Sequence, residues 1–166
     1  MKKNSQNQTV TESNPKLCVL KKIASNFNSS QIVYALGGSL MLNLRGVKVA
    51  YHDIDLMVTL SDSLKADKIL QSLGTKSPKR NNSDYTTKFF GEYVIDGVDV
   101  DLMAEVSKDN PSFIFSLEEK DIDSYCDLEG IPLPLHSMTK WLELYKDINR
   151  KDKVELIEKY SHKRIN

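Results

Sequence analysis

The sequence predicts an α+β domain with α/β-like alternation, and three observations carry that expectation. Apolar residues recur at helical spacing in some segments and alternate with polar ones in others. Asp96-Gly97 sits between two alternating runs, a strong short-range hairpin signal because both turn positions tolerate positive φ. The 166 residues are enough for one domain with its own hydrophobic core, and mixed strands and helices place it in the α+β or α/β classes.

In chain order, Leu17, Val19, Leu20, Ile23, Ala24 and Phe27 predict a first helix, with Pro15 in a first turn that tolerates it and Asn28-Ser29-Ser30 at its end. Ile32 to Leu36 is a short apolar run and reads as a buried strand. Gly37-Gly38 follows, then two helical turns over Ser39 to Arg45, which Gly46 stops in a left-handed cap. Asp53 to Val58 alternates and then turns apolar, as a strand with one face on the core does. Leu64 to Leu73 is an amphipathic helix closed by Gly74. Thr75 to Asp84 is polar, basic and Pro-containing and reads as a loop. Tyr85 to Ile95 and Val98 to Met103 are the strands of the hairpin. Pro132 and Pro134 bracket a linker-like stretch, and Ser137 to Asp147 and Arg150 to Tyr160 read as helices, so 131–166 forms a helical C-terminal appendix. Residues 15–166 are expected to form one domain behind a disordered tail over 1–14.

The 23 basic and 23 acidic residues balance, so no net field draws the molecule to nucleic acid or a membrane. No run approaches the roughly 18 apolar residues of a membrane span, and Met1 to Asn14 lacks the apolar stretch of a signal peptide. Cys18 and Cys126 have neither the density of a disulfide framework nor the spacing of a zinc site. The expectation is a cytoplasmic protein with reduced thiols and no membrane partner.

Side chains alternate along a strand, so Asp53 and Asp55 share one face and Asp99 and Asp101 share one face of a later strand. If those strands are neighbours, three or four carboxylates crowd together beside the Gly-Gly turn. Like charges that close oppose folding unless a cation neutralises them, and a hard ion such as Mg²⁺ takes carboxylate and phosphate oxygens. Two such ions about 4 Å apart can hold both oxygens of an in-line phosphoryl displacement. Asp-x-Asp by itself is a cheap motif, and about one copy is expected by chance. Asp121-Ile122-Asp123 is a third copy, read as a solvated loop. Strand, Gly37-Gly38-Ser39, helix is an arrangement that suits phosphate, because glycines admit the anion close to backbone amides. It is neither a Walker loop nor a dinucleotide fingerprint. Arg45, Lys48, Lys88, Lys146, Arg150 and Lys151 are candidate phosphate partners, each more simply a solvated charge. Trp141 and Tyr145, four apart on a helix, read as core packing, and the basic run Lys76 to Arg80 as a surface loop or a contact for a polyanion.

Gly37-Gly38-Ser39, a short helix, Gly46, and then His52-Asp53-Ile54-Asp55-Leu56, with Val100-Asp101-Leu102 later, resembles the signature of the DNA polymerase beta-like nucleotidyltransferase superfamily. Lys140 to Lys146 and Asn149-Arg150-Lys151-Asp152 are similar to the tail of its small stand-alone bacterial members. Asn149 stands where such tails often carry Gly, and Lys153 where they often carry an apolar residue. The resemblance covers roughly residues 31 to 160. It implies the minimal nucleotidyltransferase fold, a twisted mixed sheet flanked by helices with a C-terminal helical segment. It implies Asp53 and Asp55 as ligands of two Mg²⁺ ions, with Mn²⁺ as an alternative. Asp101, preferred over Asp99, would be the third ligand and help deprotonate the acceptor. Gly37, Gly38, Ser39 and Lys146 would bind the nucleoside triphosphate, ATP included. The acceptor, whether RNA, protein or small molecule, stays open, as does a toxin-type role with an antitoxin partner. A silent nucleotide-binding module of the same fold, or a structural domain with surface Asp residues, are the alternatives.

Overall fold

A computed structural model describes residues 14–78, 86–107 and 113–165. The expected tail, apart from Asn14, and the basic loop from residue 79 onward lie outside these residues.

Helix α1 spans Pro15–Ser29. Asn14 caps it by accepting from the amides of Lys16 and Leu17, and Pro15 occupies the first turn, where its missing N–H has no partner to lose. Its stripe of Leu17, Leu20, Ile23, Ala24 and Phe27 is buried. The helix ends in a Schellman pair, Ile32 N–H to Phe27 O and Gln31 N–H to Asn28 O, with Gln31 at φ 55°. Strand β1 (Tyr34–Gly37) runs into α2 (Gly38–Leu44). Gly46 closes α2 at φ 101°, its N–H on Asn43 O and that of Val47 on Leu42 O, as its place in the sequence predicts.

After β2 (Ile54–Val58), a 3₁₀ turn leads into α3 (Ser63–Leu73). Thr75–Lys76, expected to be loop, instead forms a two-residue edge strand β3, antiparallel to β4. Strands β4 (Thr86–Ile95) and β5 (Val98–Ser107) make the expected hairpin around Asp96 and Gly97, both at positive φ. β5 runs four residues past the Met103 end expected for it, because alternation of buried and part-buried residues continues to Ser107.

The C-terminal third departs most from expectation. Ile122–Leu128 (β6) and Ile131–His136 (β7) are strands of an antiparallel hairpin, so the Pro132–Pro134 stretch is sheet rather than linker. The reason lies in the two-residue spacing of the prolines. The turn closes on the Leu128–Ile131 pair, which aims residues 131, 133 and 135 at β6. Both prolines therefore lack their N–H on the side facing β1, where the pairing is confined to Leu36 and Leu135. There the Pro132 carbonyl accepts from Asn28 Nδ2 at 2.9 Å. The helical segment begins only with α4 (Met138–Asp147), capped by Ser137, and ends with α5 (Lys151–Ile165). Between them Asn149 takes φ 59° in a second Schellman closure, its N–H on Lys146 O and that of Arg150 on Tyr145 O. That is the position a glycine fills most easily.

The seven strands form one mixed sheet in the order β3-β4-β5-β2-β1-β7-β6. One face, carrying Leu36, Leu56, Val100, Leu102, Ala104 and Tyr93, is buried, with α1 and α3 packed against the sheet. Among the described residues no helix is long and apolar enough to cross a membrane.

Candidate active site

Strand register builds the site. Gly37 of β1 stands opposite Asp55 of β2, Asp55 opposite Asp101 of β5, and Asp101 opposite Glu92 of β4. Residues directly opposite share a face, so one transverse row crosses four strands on the side away from α1 and α3. Asp53 lies two residues before Asp55 and faces the same way. The outcome is a group of three half-buried carboxylates, Asp53, Asp55 and Asp101, offering one oxygen each within 4.8 Å of one another. Asp99 is on the same face but opposite Val94, one step further along β5, and it is exposed.

The two glycines have different jobs. A Cβ on Gly37 would fall inside the Trp141 ring, against Cζ2 and Cε2. A Cβ on Gly38 would fall on the Asp55 carboxylate, and Gly38 is also at φ 63°, where L side chains are disfavoured. The pair is needed because an indole from α4 and a carboxylate from β2 both press onto the same turn. Trp141 is buried as expected, with Phe115 edge-on at 5.2 Å and Tyr145 tilted at 5.6 Å between ring centroids.

Crowding has an electrostatic signature. Burial first, then the charges of Asp53 and Asp101, push the Asp55 carboxyl up to about 8, against the opposing pull of Lys153 and Arg150. Burial also pushes the Tyr145 phenol above its usual range, with Asp55 adding to the effect, so that hydroxyl keeps its proton. Three convergent hard oxygen donors from Asp53, Asp55 and Asp101 are a set that could hold a divalent hard cation.

The basic residues sort differently. Lys153 Nζ donates to Ser39 Oγ at 2.7 Å, bridging the start of α5 to the Gly-Gly-Ser turn. Lys146 pairs with Glu158, 3.5 Å away, with its side chain half exposed. Arg45 is held by Asp123 and by the His136 carbonyl. Lys88 pairs with Glu105, and Arg150 reaches Asp152. Lys153 is the residue that sequence reasoning passed over. Its signal was the spacing to Ile157, four residues on and fully inside, which puts a lysine on the inward face of α5.

A candidate nucleotidyltransferase of Thermotoga maritima superposes with a TM-score of 0.67, covering 89% of this chain and 92% of that one at 23% identity. The fold is that of nucleotidyltransferases. Two further structures with this nucleotidyltransferase fold are similar at lower identity. ANT(2″)-Ia in complex with adenylyl-2″-tobramycin has a TM-score of 0.58 at 12% identity, over 86% of this chain and 87% of that one. The lincosamide antibiotic adenylyltransferase LnuA, lincomycin-bound, has a TM-score of 0.53 at 16% identity, over 78% and 84%. No protein-family model and no curated protein sequence matches the chain.

Proposed function

We propose that the chain is a metal-dependent nucleotidyltransferase that moves a nucleoside monophosphate from a nucleoside triphosphate, ATP among them, to an acceptor hydroxyl. The observation that carries this reading is the convergence of Asp53, Asp55 and Asp101 beside the Gly37-Gly38-Ser39 turn, on a fold shared with adenylyltransferases. In this reading Asp53 and Asp55 hold two Mg²⁺ ions, or Mn²⁺ in their place, and Asp101 is the third ligand. Bound cations let the carboxylates ionise side by side and offset charge on the triphosphate. Gly37, Gly38 and Ser39 hold the triphosphate, with Lys146 contributing from α4. The acceptor oxygen attacks the α-phosphorus and an O–P bond forms. The bond from that phosphorus to pyrophosphate breaks, and the acceptor proton passes toward Asp101.

Hydroxyls of RNA, protein and small molecules are the acceptor classes, and a toxin-type cytoplasmic role with an antitoxin partner requires one of the first two. The test is incubation with Mg²⁺, each labelled nucleoside triphosphate, and pooled cellular RNA and protein, with Asp53→Asn as control. Label transferred by the wild type and lost in the variant supports the reading. Equal labelling by both would sink it.

A further inference from the structure

From the geometry we infer that Lys153 is the cation that grips the non-transferred phosphates of the nucleotide, together with the Ser39 hydroxyl. This rests on the nucleotidyl-transfer reading and assigns a binding residue within it.

The argument starts from where lysines go. Lys21, Lys22, Lys76, Lys88 and Lys146 each end on a carboxylate, the ordinary fate of a surface ammonium. Lys153 is half-buried and ends on a neutral hydroxyl, with Nζ 2.7 Å from Ser39 Oγ. Its charge is felt by Asp55, yet its hydrogen bond goes to the Ser39 hydroxyl. An ammonium has three donors, and this contact uses one. That leaves two donors beside the Ser39 hydroxyl for the anionic oxygens that a polyphosphate would bring to the turn.

Backbone geometry fixes that position. The Asn149 turn at φ 59° reverses the chain out of α4. Arg150 then accepts the first amides of α5, from Lys153 and Val154. Ile157, 1% exposed, anchors the next turn in the core, and Lys153 lies four residues before it on the same side. Lys146, by contrast, already has Glu158 as its partner.

The test separates phosphate binding from folding and from turnover. Binding of Mg²⁺-tripolyphosphate and of a nucleoside monophosphate is measured by calorimetry on the wild type, Lys153→Met and Lys153→Arg, with melting temperatures alongside. The expected result is about tenfold weaker tripolyphosphate binding in Lys153→Met, partial recovery in Lys153→Arg, and monophosphate affinity within about twofold of wild type. Unchanged tripolyphosphate affinity in Lys153→Met, or equal loss for both ligands, overturns the assignment and leaves the transfer reading intact. A wild type that binds neither ligand overturns both.

Discussion

Asp53-Ile54-Asp55 and Asp121-Ile122-Asp123 are the same tripeptide in two surroundings. At the second copy each carboxylate has its own donor. Asp121 accepts from the Glu118 amide at 2.9 Å in a reciprocal capping arrangement, and Asp123 pairs with Arg45. Asp121 is buried and Asp123 is exposed, and Arg45, just after α2, ties Asp123 of β6 to the His136 carbonyl at the end of β7. At the first copy, Asp55 faces Asp53 and Asp101, and the repulsion outweighs the pull of Lys153 and Arg150. One copy has its charges satisfied by the fold. The other stores an electrostatic deficit that a cation could remove, an arrangement more typical of functional sites than of structural ones.

The largest expected difference between the copies is in turnover. Asp53→Asn lowers nucleotidyl transfer by at least about 10²-fold, the scale of removing one preorganised electrostatic group. Asp123→Asn leaves transfer within about twofold of wild type. Initial rates with Mg²⁺ and a labelled triphosphate check this, and comparable losses in both variants would dissolve the distinction.

A second way to break the comparison acts through the backbone. Gly38→Ala forces a side chain to φ 63°, which costs about 1–2 kcal/mol, and drives its Cβ onto the Asp55 carboxylate. Transfer should be lost together with stability. Gly130→Ala also meets a positive φ, of 90°, but nothing lies within 4 Å of its Cβ. It should cost stability alone, and denaturant titration with parallel rate assays separates the two outcomes.

Legibility followed the same divide. Asp53, Asp55 and Asp101 could be read because strand alternation fixes a face and a Gly-Gly turn upstream marks the place. What the sequence could not supply was register, and register decides between Asp99 and Asp101, since Asp101 stands opposite Asp55 and Asp99 does not. The Pro132–Pro134 strand was hidden because proline is depleted in sheets, and only the hairpin shows that both prolines turn their nitrogens to the β1 side, where pairing is short. Asp121-Ile122-Asp123 read as solvated loop, because neither the capping amide of Glu118 nor Arg45, 78 residues away, adjoins it in sequence. Lys153 was passed over because its partner Ser39 is 114 residues distant.

Stability without metal should move in opposite directions at the two copies. Asp55→Asn removes a carboxyl that the fold must either keep protonated or ionise beside Asp53 and Asp101, and it is expected to stabilise the metal-free protein by about 0.5–2 kcal/mol, the usual exchange of function for stability. Asp121→Ala removes a buried acceptor and strands the Glu118 amide, for a loss of about 1 kcal/mol. Thermal unfolding in a chelator gives both signs, and a destabilised Asp55→Asn would mean that the group is not under electrostatic strain.

The smallest effect concerns the imidazole beside the second copy. His136 is fully buried, stacked on Phe115 at 5.1 Å, and burial holds its pKa below the ordinary 6.5 despite the nearby charges of Asp121 and Asp123. In the unfolded chain the ring takes up a proton near pH 6.5, while in the folded protein it resists until a lower pH. The unfolded state therefore binds more protons across that window, so stability is intact above it and is lost as pH falls through it toward the folded value. His136→Phe removes the titrating group and keeps an aromatic ring against Phe115. It should flatten the fall in unfolding free energy below pH 6.5 without changing the profile above it. An unchanged slope in the variant would mean that His136 does not set the acid sensitivity.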